Sequence, residues 1–200
     1  QLIASVVEED VAFGPENLGL APALIRERVD DALKAVDMYE FKDSTPHRLS
    51  GGQKQILNLA SVMVMNPKIL VLDEPTSQLD PIAAADFLAL LGRINKELGT
   101  TIVLTEHRLE EAFPLADRVI VMDDGKIIAD ETPHIVGKIL GDLQHDMCSA
   151  LPTAIKVHSS VKNSLPCPVT VRDGRIWLEE FSMQNTLNND LIPTDNASLN

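Results

Sequence analysis

Two hundred residues suit one domain with an appendage and leave enough chain for a real core. With 44% hydrophobic and 24% charged residues the composition is globular, and a net charge of −13 argues against a nucleic-acid binder, whose footprint is a basic face. No apolar run reaches the ~18–20 residues of a membrane span, the first residues carry no signal-peptide pattern, and Cys148 and Cys167 have neither disulfide-framework nor metal spacing, which fits a reducing cytosol.

In chain order, Val6, Val7, Val11 and Ala12 recur at a helical period, and Gly14-Pro15 is expected to end that run. Glu8-Glu9-Asp10 at its start read as a solvated face with charge suited to a helix N-terminus. Pro22 to Val36 carries a second helix on Leu24, Ile25, Val29, Ala32, Leu33 and Val36. After the breakers Asp43-Ser44-Thr45-Pro46, Ser50-Gly51-Gly52 opens a helix to about Met65, apolar around much of its girth and stopped by Asn66-Pro67. Ile69–Leu72 reads as a buried parallel strand ending in Asp73 and Glu74. A turn, Thr76 to Pro81, leads to a helix over Ile82–Leu98 that Gly99 caps. Thr101–Thr105 is the next buried strand, ending in Glu106-His107. A short helix from Leu109 to Ala116 and a third strand, Arg118–Met122, follow. Asp124-Gly125 turns the chain into Lys126–Ala129, antiparallel, and Thr132-Pro133 starts a helix to about Leu140. The alternation predicts an α/β fold with a mostly parallel sheet and a terminal hairpin.

From Gly141 the periodicity weakens, and the segment reads as a linker with some local structure. Val169–Val171 and Arg175–Leu178, joined through Asp173-Gly174, are expected to pair as a small hairpin. The polar residues 182–200 are expected to fray.

The chemistry concentrates at two stretches. Leu49-Ser50-Gly51-Gly52-Gln53-Lys54-Gln55 offers a hydroxyl and bare amides at a helix N-terminus, which suits a phosphate. Asp73, at a strand end, suits a magnesium ion. Glu74, one residue on, can polarise an attacking water as a general base. His107 ends the neighbouring strand and can reach the same phosphate. Each alone has a bland reading: a solvated strand end, an ordinary helix start, a surface histidine. Their joint occurrence in this order is what carries the argument.

This ordered set resembles the signature and Walker B motifs of the ATP-binding-cassette (ABC) ATPases, over about residues 1–140. The resemblance implies a P-loop NTPase-like α/β fold with a helical subdomain over 1–48, a signature-to-His107 core part over 49–140, and a linker, small hairpin and flexible tail over 141–200. It implies ATP and Mg2+ as cofactors. Leu49, Ser50, Gly51, Gly52, Gln53 and Asp80 would contact nucleotide, Asp73 the metal, and Glu74 and His107 the reacting phosphate. It implies a second ATPase cassette as partner, in a head-to-tail sandwich, and no nucleic acid.

Val7 to Gly14 and Thr76 to Pro81 are most similar to the energy-coupling-factor branch, importers of vitamins and transition-metal ions. That likeness implies a transmembrane scaffold subunit, a substrate-binding membrane subunit, and a peripheral place on the cytoplasmic face of the membrane. Glu8, Glu9 and Asp10 are then contacts for the scaffold's arginine-bearing helices. Pro166 to Arg175 resembles the connector of tandem cassettes, so the chain reads as an N-terminal cassette truncated before Gln1. Ile56 stands where the family usually has arginine, and Gln78 where alanine is commoner. The sequence nowhere contains G-x-x-x-x-G-K-[ST], the loop that cradles the nucleotide phosphates. The expectation is that the Walker A strand and antiparallel subdomain are lacking, and that this chain alone hydrolyses nothing. The rival readings are a half-cassette acting as an interaction module, and a DNA-repair type ABC ATPase.

Overall fold

A computed structural model describes residues 4–185, and the chain divides into two compact units between Leu115 and Ala116. The described residues of the first unit form α1 (Val7–Asn17), α2 (Pro22–Ala35), α3 (Gly51–Met63), β1 (Ile69–Asp73), α4 (Pro81–Leu98), β2 (Thr101–Thr105) and α5 (Leu109–Ala112). Those of the second form β3 (Val119–Asp123), β4 (Lys126–Glu131), α6 (Pro133–Leu143), α7 (Thr153–Ser159) and α8 (Val171–Gln184).

The first unit is built on four helices and a parallel strand pair. Val7 and Val11 of α1, Val29 and Leu33 of α2, Leu57 and Ala60 of α3, and Phe87, Leu88, Leu91 and Ile94 of α4 are all buried in one core. These are the apolar positions of each helical period, which is why the helices pack where they do. Truncating a side chain as large and as enclosed as Phe87 costs about 3–5 kcal/mol. β1 and β2 run parallel with Ile69 opposite Thr101 and Asp73 opposite Thr105.

Two expectations are corrected here. Helix α1 runs through Gly14-Pro15 instead of stopping there. Proline's fixed φ is compatible with a helix, but it removes one N–H and its ring crowds the carbonyl one turn earlier, a cost that α1 bears close to its C-terminal end. Gly14 packs close to the Met65 sulfur, and the turn is closed by Gly19 in the left-handed region, φ 68°. Nor are the strands buried on both faces. Leu70 is buried, with Leu72, Ile102 and Leu104 packed against the same core, whereas Ile69, Val71 and Val103 stay exposed, Val71 by 70%. The helices of the unit cover one side of the pair, so the apolar run resolves into a period of two.

In the second unit β3 and β4 form the expected antiparallel hairpin through Asp124-Gly125, both at positive φ as a tight primed turn demands, with a bulge at Val121/Met122. On α6, Gly137 and Gly141 lie one turn apart and let α7 approach closely. A Cβ at Gly137 would fall 2.9 Å from an Ile155 methyl, and one at Gly141 2.4 Å from the Ser159 hydroxyl.

The hairpin expected over Val169–Leu178 is a helix, α8. Thr170 and Asp173 close a reciprocal capping box, each side chain bonding the other's backbone N–H at 3.1 Å. Trp177 is buried, stacked on Phe181 and tilted against His158. Capping and aromatic packing override the β-propensity of so short a stretch. The segment before it, expected as linker, holds α7 and a 3₁₀ turn at Asp146–Ala150. The fraying expected over 182–200 falls mostly outside the described residues, and Ser182 and Gln184 are still helical.

Candidate functional site

The ends of β1 and β2 bring the two carboxylates and the histidine together. Parallel pairing in register puts Asp73 beside Thr105, and the Thr105 hydroxyl donates to Asp73 Oδ1 at 2.5 Å. The Glu74 N–H donates to the Thr105 carbonyl and to its hydroxyl, both at 3.1 Å. His107 Nε2 lies 2.9 Å from Glu74 Oε1. Glu74 itself sits at φ 43°, a left-handed conformation that an L side chain rarely adopts. Such backbone is held only where the surroundings over-determine it, and it concentrates at functional positions. Both side chains face solvent, His107 by 82% and Glu74 by 49%.

Asp73 accepts the Thr105 bond on one oxygen and is exposed, so a carboxylate oxygen is free to face a hard cation. One carboxylate completed by nucleotide oxygens and water is the ordinary magnesium arrangement.

Leu49–Gln53 forms the N-terminus of α3. Leu49 is buried and anchors the loop. Ser50 is the N-cap: its hydroxyl accepts from the Gln53 N–H at 3.2 Å, and Gln53 Oε1 accepts from the Ser50 N–H at 2.9 Å. The two polar side chains are therefore engaged in a capping box. Gly52 has a packing reason, because a Cβ there would meet Ala83 at 3.0 Å. Gly51 has none: its φ is not positive, and a Cβ would enter open space. The chain's own fold does not require glycine at 51.

Asp80, read from the sequence as a nucleotide contact, has a local role in the fold. It is the N-cap of α4, and its Oδ1 accepts from the N–H groups of Ile82 and Ala83, both at 3.0 Å. Removing such a cap costs about 1 kcal/mol.

The acidic triplet is also sorted by the structure. Glu8 pairs with Lys42 at 3.5 Å, and Lys42 also bonds Asp30 at 2.8 Å. Chiefly that Asp30 hydrogen bond holds the Lys42 ammonium charged to higher pH than usual. Glu9 is exposed and accepts from the Ser5 N–H at 3.2 Å. Asp10 is only 8% exposed, and its Oδ1 accepts from the Ala4 N–H at 3.0 Å. Asp10 therefore serves the start of α1. Glu8, Glu9 and Glu16, together with Arg26, line a groove of about 510 Å³ between α1 and α2, whose apolar lining includes Ala12, Ile25 and Val29.

Sequence reasoning missed four residues that hold the turn after β1. Gln55 Nε2 donates to the Pro75 carbonyl at 3.0 Å. The buried Thr76 hydroxyl donates to Glu106 Oε1. Arg108 Nη2 donates to the Leu79 carbonyl at 3.1 Å. Glu106 and Arg108 flank His107, and that adjacency was the only available signal.

A family model described as "ABC transporter" matches residues 3–77. An energy-coupling factor transporter ATP-binding protein, EcfA1, from Caldanaerobacter subterraneus subsp. tengcongensis is 55% identical over 138 residues, 69% of this chain and 50% of that protein. A putative ABC transporter ATP-binding protein from Bacillus thuringiensis subsp. konkukian is 42% identical over 195 residues, 98% of this chain and 35% of that protein. The chain thus spans about half or less of the length of these relatives. The structure of cbiO1 from Clostridium perfringens, part of an ABC transporter complex cbiONQ, matches with a TM-score of 0.66 at 37% identity, over 79% of this chain and 62% of that one.

Proposed function

As a member of the ABC transporter ATP-binding family, and within it of the energy-coupling-factor type, the chain supplies, we propose, half of an ATP hydrolysis site in an importer. The observation that carries this reading is the convergence of Asp73, Glu74 and His107 at one strand edge, with Glu74 in a left-handed backbone and bonded to His107. Glu74 accepts the proton of the attacking water. His107 donates to a γ-phosphate oxygen and keeps the Glu74 carboxylate aimed. Asp73 holds Mg2+, which when bound shields phosphate charge.

Leu49–Gln53 acts in trans in this reading. The G-x-x-x-x-G-K-[ST] pattern does not occur in the 200 residues, and on this reading the helix start closes over nucleotide held by other sequence. The glycine at 51, which the fold does not need, leaves room for that nucleotide to approach the backbone N–H groups. The groove between α1 and α2, with Glu8 and Glu9 on its rim, receives a basic helix of a membrane scaffold subunit on the cytoplasmic face. The cargo, a vitamin or a transition-metal ion, is chosen by a separate membrane subunit. No described helix is long and apolar enough to cross a membrane, and the proposed contact is peripheral.

The test is phosphate release by the complete transporter. Glu74→Gln should lower turnover by about 10²–10⁴-fold, the contribution of a positioned general base, while ATP binding persists. Undiminished turnover would overturn the assignment. The 200-residue chain by itself should show no ATPase above background, and stoichiometric ATP binding in calorimetry would contradict the trans reading.

A further inference from the structure

We infer that Glu106 is a positioning residue that yokes His107 to the Thr76–Leu79 turn, so that the two move as one body during the ATPase cycle. The inference rests on the ATPase reading above but on different residues. Successive side chains at a strand end point to opposite sides. Thr105 and His107 accordingly reach Asp73 and Glu74. Glu106, between them, turns the other way and enters the base of the turn.

There its Oε1 accepts from the Thr76 hydroxyl, while Thr76 is wholly buried. The Arg108 N–H lies 3.4 Å from the same oxygen. Its other oxygen, Oε2, is buried and has no hydrogen-bond partner among the described residues. A carboxylate half withdrawn from water with one oxygen unpaired is costly, and a fold that keeps one calls for an explanation. Simple stability would be served as well by an apolar residue under the turn. A carboxylate serves to grip Thr76 from the residue adjacent to His107.

The grip is reinforced from the other flank, where Arg108 bonds the Leu79 carbonyl. The turn has its own bonds, Ser77 N–H to the Glu74 carbonyl at 3.2 Å and Leu79 N–H to the Thr76 carbonyl at 3.0 Å, so it behaves as a small rigid piece. Gln55 of α3 holds the same piece at Pro75. A shift of the His107 backbone therefore drags Thr76, and with it the turn that ends at the Asp80 cap and, through Gln55, the helix that begins at Ser50. Glu106 touches neither nucleotide nor metal in this account. It fixes where His107 stands relative to Glu74.

The experiment has two arms. In the complete transporter, Glu106→Ala and Thr76→Val should each lower kcat about tenfold with KM for ATP within twofold, since a misplacement of ~1 Å can cost ~10²-fold. The double variant should be no worse than either single one, because both remove the same bond. Glu106→Gln, which keeps an acceptor for Thr76, should restore at least half of the rate. In the chain itself, hydrogen exchange at Ser77 and Leu79 should quicken about tenfold or more in Glu106→Ala and Thr76→Val, with α4 protection unchanged. Additive losses in the cycle, no rescue by Gln, or unaltered turn exchange would each overturn the yoke. Should the wild-type transporter show no ATPase, the functional reading fails, and the exchange arm alone decides whether the mechanical link exists.

Discussion

Glu74 offers a way to separate backbone from chemistry. Glu74→Ala and Glu74→Gly both remove the carboxylate and its bond to His107, so they differ only in a Cβ. At an ordinary position alanine is the more stable by about 0.4–1 kcal/mol, because glycine's unfolded chain has more freedom to lose. At φ 43° the order should reverse. A Cβ in left-handed backbone costs roughly 1–2 kcal/mol. Subtracting one from the other leaves glycine ahead of alanine by about 0 to 1.6 kcal/mol, centred near 0.8. With a urea slope of about 2 kcal/mol per molar, that is a midpoint shift of ~0.4 M. Far-UV circular dichroism is the suitable probe, since the single tryptophan, Trp177, lies in the other unit. Both variants should be inactive in the complete transporter. Alanine ahead of glycine by about 0.5 kcal/mol or more would refute the backbone argument, as that is the ordinary order.

Three further outcomes are expected. Gly51→Ala should fold as well as the parent, or gain up to about 1 kcal/mol in urea midpoint, yet lower phosphate release at least about tenfold by displacing nucleotide from the helix start; a normal rate would remove the case for the trans contact. Asp173 has its carboxyl held below the ordinary value of 3.8, first by the Thr170 hydrogen bond. Its contribution is therefore present above that value and lost as pH falls through the lower folded value. Asp173→Asn, which still accepts from Thr170, should flatten the acid limb of Trp177 fluorescence. Burial pushes the Cys167 thiol up to about 11, so a thiol reagent at neutral pH should label it on the order of 10²-fold more slowly in the folded chain than in urea; equal rates would contradict its burial.

Much of the framework was legible because local rules and packing agree. Ser50-Gly51-Gly52 opens a helix, Thr132-Pro133 starts another, and Asp124-Gly125 makes a hairpin turn. The strand ends carrying Asp73, Glu74 and His107 could be placed because two short apolar runs precede them. The failures share a cause. Thr170 to Leu178 reads as strand by composition, but the Thr-x-x-Asp box and the burial of Trp177 decide for helix. Pro15 reads as a stop, but it sits in the last turns, where one lost N–H is tolerated. The roles of Asp10, Glu106 and Arg108 depend on partners remote in sequence or hidden by folding, and no periodicity encodes such pairs.

The alternation along β1 has a practical meaning for handling the chain. Leu70 and Leu72 serve the fold's interior, while Ile69 and Val71 meet water. Conformational stability and colloidal behaviour are thus written on alternate letters of the same short word. An exposed flat apolar strip favours self-association, and the net charge of −13 opposes it only while ionic strength is low. Each property can be tuned by editing its own set of positions and leaving the other untouched.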